Sequence, residues 1–319
     1  MNRYIISGKV DILLMSLFPI LIFGMLKFSG EDNLITFVAV LLISVILDNG
    51  HVYFTYSRIA KEFQKAKVFF VAVPIIIFLT FLTWQYFKIP YFYSFVVYAT
   101  LFHFIRQAYG INRWYMLSEK GNKLIIDFIM YSLMITPLIA LHFRSDLHIA
   151  LYDYDDFFIY TSNDYLAKII CINLALLATW FIYELVNIKQ FNKQRFIFMS
   201  STAILFSFIG YFANNEIEVI IPFMSAHGLQ YLLLSAKFEN EQHKINFKKI
   251  LILLVFIGAV FGGLDTYAQG SLEEDMNNIY MFSDDVLSKV LIALLFVPLV
   301  SHYIYDMKIW TKKYIQTLK

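Results

Sequence analysis

The stretch VFFVAVPIIIFLTFLTWQYF, residues 68–87, is apolar on every side of a helix for its whole length. About 20 such residues, rising 1.5 Å each, cross the roughly 30 Å of hydrocarbon in a bilayer. The run ILILLVFIGAVFGGL, residues 250–264, repeats the character over a shorter length. A membrane β-barrel is excluded, because its strands alternate lipid-facing apolar and inward polar residues, whereas these runs do not alternate.

The rest of the chain agrees. Of 319 residues, 59% are hydrophobic and 16% charged, with a mean hydropathy of +0.62. That is more apolar surface than one soluble core needs, and the excess must face lipid. The single cysteine, Cys171, excludes a disulfide framework and a cysteine metal cluster. A net charge of +2 gives no reason to expect a nucleic-acid partner. The first apolar run follows a basic start, as a signal peptide would, but no small-residue cleavage site follows Phe28, so it reads as the first span.

Reading apolar runs against polar breaks predicts an all-α bundle of ten spans forming one integral membrane domain over residues 1–319. The expected spans are Asp11 to Phe28, Leu34 to Ser57, Val68 to Phe87, Tyr91 to Leu117, Leu124 to Phe143, Tyr165 to Asn187, Phe196 to Ala213, Ile217 to Ala236, Ile250 to Asp265 and Val286 to Ile309. Every second connection is basic: Arg3 and Lys9; Arg58, Lys61, Lys65 and Lys67; Arg113, Lys120 and Lys123; Lys189, Lys193 and Arg195; Lys237, Lys244, Lys248 and Lys249; then Lys308 to Lys319. The other face carries Glu31 and Asp32, the stretch Asp146 to Asp164, Glu216 and Glu218, and the stretch Asp265 to Asp285. Basic loops stay in the cytoplasm, so both termini are expected there. The two long acidic loops also hold Tyr152, Tyr154, Phe157 and Tyr160, and Tyr267, Tyr280 and Phe282, as lids or interface anchors.

Ionisable side chains within spans are expensive and so call for a reason. Here they are grouped. His51, His103, His227 and His302 fall on the second, fourth, eighth and tenth expected spans. They lie seven, ten, ten and six residues from the basic flanks Arg58, Arg113, Lys237 and Lys308. That is a rise of about 9 to 15 Å. All four spans run the same way, so one level for all four imidazoles is geometrically allowed.

Four neutral imidazoles around one cation suit Fe(II), Zn(II) or Cu(II). Haem is the less favoured cofactor, since no span carries two histidines a dozen residues apart. Ligating histidines usually give their other ring N–H to an acceptor that fixes the tautomer. Asp48, Gln107, Gln230 and Asp306 stand three or four residues from His51, His103, His227 and His302, respectively, on the same helical faces. Arg106 should pair with a carboxylate such as Asp48, Asp306 or Glu184, or bind an anionic group of a substrate. Tyr53, Tyr56, Tyr109, Tyr231, Tyr303 and Tyr305 surround the histidines in sequence; Arg106, Tyr109 and Tyr231 are the candidates for steering or catalysis. Read one at a time, each histidine is as well explained by an interhelical hydrogen bond. His142, His148 and His243 lie near charged loops and read as solvated.

The segments His103-Phe104-Ile105-Arg106-Gln107, Ala226-His227-Gly228-Leu229-Gln230-Tyr231 and His302-Tyr303-Ile304-Tyr305-Asp306-Met307-Lys308-Ile309-Trp310 look like those of a group of bacterial membrane proteins often placed near the Brp/Blh family. The layout resembles that family of membrane β-carotene dioxygenases, in which histidines from separate helices hold a non-haem iron that cleaves a carotenoid to retinal. The resemblance covers about half the chain and implies His51, His103, His227 and His302 as iron ligands. It also implies dioxygen and a lipophilic substrate as partners, and a bacterial cytoplasmic membrane as location. Di-iron desaturases are unlike it, because their closely spaced histidine boxes are absent. The rival expectation is a proton-coupled carrier using Asp48, His51, Arg106 and Asp306 as a relay, and a noncatalytic assembly factor is a third option.

Overall fold

A computed structural model of the chain describes residues 4–29, 33–89, 91–116, 123–147, 149, 161–187, 191–244, 246–264, 266–267 and 286–309. Most of both acidic loops, with His148, Tyr152, Tyr154, Phe157, Tyr160, Tyr280 and Phe282, lies outside the described residues, and so does the basic tail beyond Ile309.

Among the described residues every regular element is a helix. We number the main ones α1 (Gly8–Ser29), α2 (Leu34–Ala39, Val40–Asn49 and Gly50–Glu62 in succession), α3 (Lys67–Phe87), α4 (Phe92–Tyr115) and α5 (Lys123–Leu141). Then follow α6 (Leu166–Val186), α7 (Lys193–Phe212), α8 (Glu216–His243), α9 (Phe247–Ile257, continuing as Gly258–Gly262) and α10 (Val286–Ile309). Three stretches are wound more widely, as π-helix: Asp11–Leu17 in α1, Val40–Asn49 in α2 and Gly258–Gly262 in α9.

Eight of these helices, α1 to α3, α5 to α8 and α10, are long and apolar enough to cross a membrane. The protein is therefore an all-helical integral membrane protein. The two remaining expected spans are helical too, for different reasons short of that mark. Helix α4 has the length, 24 residues, but it carries His103, Arg106, Gln107, Asn112 and Arg113, which lower its hydropathy. Helix α9 is apolar but short, at 11 residues with a π extension of 5. Of the eight, α8 is the most buried, at 72% of its apolar window, and α6 the least, at 17%.

The chain divides into two compact units, Met1–Val40 with Val96–Gln230, and Leu41–Phe95 with Tyr231–Lys319. In the first, α5 packs on α6 and α7, and the π stretch of α1 packs on α7. Gly210 of α7 lies against the backbone of Pro137 of α5 so closely that a Cβ would collide with it. The buried Asp11 carboxylate accepts the backbone N–H groups of Ile5 (2.7 Å), Ile6 (3.0 Å) and Ser7 (3.2 Å) and the Tyr115 hydroxyl (3.0 Å). Four donors repay its desolvation and tie the amino-terminal segment to α4. Arg195 and Glu184, both buried, pair with each other, with the Arg195 guanidinium 5.4 Å from the Trp180 ring centroid.

In the second unit, α10 packs on α3 and α2, and α2 packs on the π stretch of α9. Phe81 of α3 stacks on Phe296 of α10 at 4.7 Å between centroids, and the Tyr305 hydroxyl donates to the Phe70 carbonyl at 2.8 Å. Gly50 and Gly258 meet backbone to backbone, and Gly262 lies under the Val45 carbonyl; a Cβ at any of the three would collide with the other helix. Small residues of this kind let membrane helices approach closely enough for backbone contact.

Candidate metal centre

His51 is the second residue after the π stretch of α2, and it is 2% exposed; His302, on α10, is fully buried. Their Nε2 atoms stand 3.1 Å apart, with the rings edge to face at 4.8 Å between centroids. The other face of the His51 ring looks to a carboxylate, with Nδ1 3.7 Å from Asp48 Oδ1. That separation is longer than a hydrogen bond. The carboxylate thus lies on the Nδ1 side of the ring, away from the Nε2 that meets His302.

His103 of α4 and His227 of α8 are also buried and also meet edge to face, at 4.8 Å between centroids. Phe104 covers the His227 ring at 4.6 Å. The Gln107 amide donates to the His227 carbonyl (2.9 Å) and, at 3.4 Å, to Gln230 Oε1, while the Gln230 amide donates to the Met15 carbonyl (2.8 Å). A small cavity of about 20 Å³ lies beside His227, lined among others by Met15, Phe104, Gln107, Leu205 and Phe223. It has room for one small molecule such as water and is far too small for an isoprenoid.

His51 and His302 thus form one buried pair and His103 and His227 another, and each of the four offers a ring nitrogen as a ligand. Ring nitrogens about 2.0–2.1 Å from one ion stand about 2.9–3.4 Å apart at right or tetrahedral angles and about 4.2 Å apart when opposite. The His51–His302 spacing of 3.1 Å falls inside that window. The donor set therefore fits a first-row transition ion bound by neutral imidazole.

The expected supporting residues are all buried or half-buried near this group, but they act differently from one another. Asp48 has Oδ1 3.7 Å from Nδ1 of His51. Gln107 and Gln230 fix the backbone and each other between α4, α8 and α1. Asp306 accepts from the Tyr231 hydroxyl at 2.9 Å and from Thr55 at 3.1 Å, and Thr55 and Tyr231 are themselves 2.5 Å apart. The Tyr231 ring lies 5.3 Å from the His51 ring. Sequence reasoning missed Thr55; its one signal is a position four residues after His51 on the same helical face, where it is fully buried. It also missed Ser301, next to His302, which hydrogen-bonds the Tyr56 hydroxyl.

Arg106 and Tyr109 sit elsewhere than expected. Arg106 is exposed, and it donates to the Tyr131 hydroxyl at 2.7 Å. Its partners among the described residues are tyrosines, while Glu184, one of the carboxylates expected for it, is taken by Arg195. The Tyr109 hydroxyl donates to Asp127 at 3.3 Å. His142 meets the Tyr98 hydroxyl at 3.2 Å and is not simply solvated.

No protein-family model, curated protein or solved structure matches this chain.

Proposed function

We propose that this integral membrane protein is a metalloenzyme whose four buried histidines hold one Fe(II), and that it oxygenates an apolar lipid, isoprenoid or carotenoid with dioxygen. The observation that supports the reading is that four buried imidazoles, carried on four helices, meet in pairs, His51 with His302 and His103 with His227. A bundle that needed only interhelical hydrogen bonds would pair each histidine with an ordinary donor or acceptor; a 3.1 Å approach of two imidazole Nε2 atoms makes better sense as two lone pairs aimed at one cation. Iron held by these histidines would supply the redox chemistry that dioxygen requires.

The chain's own residues would do the remaining work. Asp48 would place a carboxylate on the Nδ1 side of His51 and leave Nε2 to the ion. Gln107 and Gln230 fix the stretch of α8 that carries His227. Tyr231, held by Thr55 and Asp306, would wall one side of the His51 ring. Phe104 keeps water from the His227 ring. The reading also includes α4 and α9 as the two further spans that make ten, both termini on the cytoplasmic side by the distribution of Lys and Arg, and a bacterial cytoplasmic membrane as the site of action.

Metal analysis of the purified protein beside His103→Ala and His227→Ala tests it. One iron per chain in the wild type and loss in both variants is the expected result. Stoichiometric zinc would remove the oxygenase, and a metal-free wild type would leave the proton-coupled carrier as the better account.

A further inference from the structure

Arg106 follows His103 by three residues on α4, yet His103 is buried and Arg106 is exposed. Besides its bond to Tyr131, its guanidinium lies 5.1 Å from the centroid of the Tyr109 ring, and that ring lies 5.1 Å from the Tyr131 ring. Seven residues further along α4, Arg113 pairs with Asp127 at 3.4 Å, and the same carboxylate accepts the Tyr109 hydroxyl. Among the described residues the cluster thus holds two guanidinium groups and one carboxylate, and the carboxylate serves Arg113. One positive charge is left over at Arg106.

Its surroundings are apolar on the side away from the basic loop. Phe102, one turn before Arg106, is 54% exposed, and Ile135, one turn after Tyr131 on α5, is 40% exposed. A guanidinium with no carboxylate partner among the described residues, bordering exposed apolar residues, is well placed to take an anion from outside the chain. The guanidinium has five N–H donors in a planar fork, only one of which is used by Tyr131, and the fork matches two oxygens of a phosphate.

We propose that Arg106, with Tyr109 and Tyr131, binds the phosphodiester of a glycerophospholipid from the leaflet on the basic-loop side, with an acyl chain lying along Phe102 and Ile135. Inorganic phosphate shares the headgroup chemistry but has nothing to place on the apolar strip, so the lipid is the occupant. The site uses none of the four histidines and stands whether or not they hold iron.

Native mass spectrometry of the full-length protein in detergent, titrated with phosphatidylglycerol, tests the site. The wild type should retain one lipid through delipidation. Arg106→Gln should lower the retained fraction about tenfold, the loss expected for a charge-assisted hydrogen-bond pair. Tyr131→Phe should lower it less, by about twofold to fivefold on the same scale. Because Arg106 is exposed, its Gln variant should elute as a folded protein, and the Tyr131 variant gives an independent measure. Equal retention by both variants and the wild type overturns the proposal, as does displacement of the lipid by inorganic phosphate at equal concentration.

Discussion

Replacing Gly50 by alanine should empty the metal centre while leaving the fold nearly as stable as before. The new Cβ would collide with Gly258 of α9, backbone against side chain, and neither partner can rotate away. Restoring ordinary carbon–carbon spacing of about 3.5–4.0 Å requires α2 to lift from α9 by on the order of 1 Å. Overpacking of this kind costs about 1–3 kcal/mol, whereas exchanging glycine for alanine inside a helix returns about 1 kcal/mol. The net change in stability is therefore small. His51 is the next residue, and a displacement on that scale takes the spacing of its Nε2 from that of His302, now 3.1 Å, out of the window of about 2.9–3.4 Å that one ion spans at right or tetrahedral angles. Metal content by mass spectrometry and thermal unfolding should be read together for Gly50→Ala and Gly258→Ala, with Gly24→Ala and Gly263→Ala as controls, since a Cβ at either control position meets nothing within 4 Å. Full metal occupancy in Gly50→Ala would refute the coupling of helix contact to the site, as would equal loss in the controls.

Asp48→Asn removes the carboxylate from the Nδ1 side of His51 and should weaken metal affinity about tenfold, the low end for such partners, because the contact is long at 3.7 Å; a competitive chelator titration reads it. Tyr231→Phe and Thr55→Val each remove a donor to Asp306 and should each lower stability by about 1–2 kcal/mol. The double variant should lose less than the sum, since the three groups form one network. Arg195→Met should lower stability by about 3–5 kcal/mol by stranding the buried Glu184, and Arg195→Met with Glu184→Leu should regain most of that in denaturant unfolding.

The helices were legible wherever the apolar run was uninterrupted, as at 68–87, because lipid selects on nothing but hydrophobic length there. The four histidines were legible from counting residues to the basic flanks, a measure of depth that does not require knowing which helices are neighbours. Which side of a helix meets which neighbour was not legible. At 100° per residue, Gln107 lies about 40° to one side of His103 and Arg106 about 60° to the other. The first side meets α8 and the second opens outward beside α5. Nothing in the sequence ranks those two edges. Thr55 was overlooked for a related reason: threonine in a helix ordinarily bonds the preceding turn of its own backbone, and only the fold reveals Asp306 and Tyr231 within its reach.

The wide winding of Val40–Asn49 places two lengths of one rod out of phase with each other. Residues before it and residues after it take their angular position from different counts, so no single stripe drawn through the whole of α2 describes both. Shortening that stretch by one position would swing the part beyond it by about 100°, carrying His51 off its partner altogether. Exchanges of one apolar side chain for another along Val40–Asn49 leave that angle untouched, so the number of residues there is held more tightly than their identity.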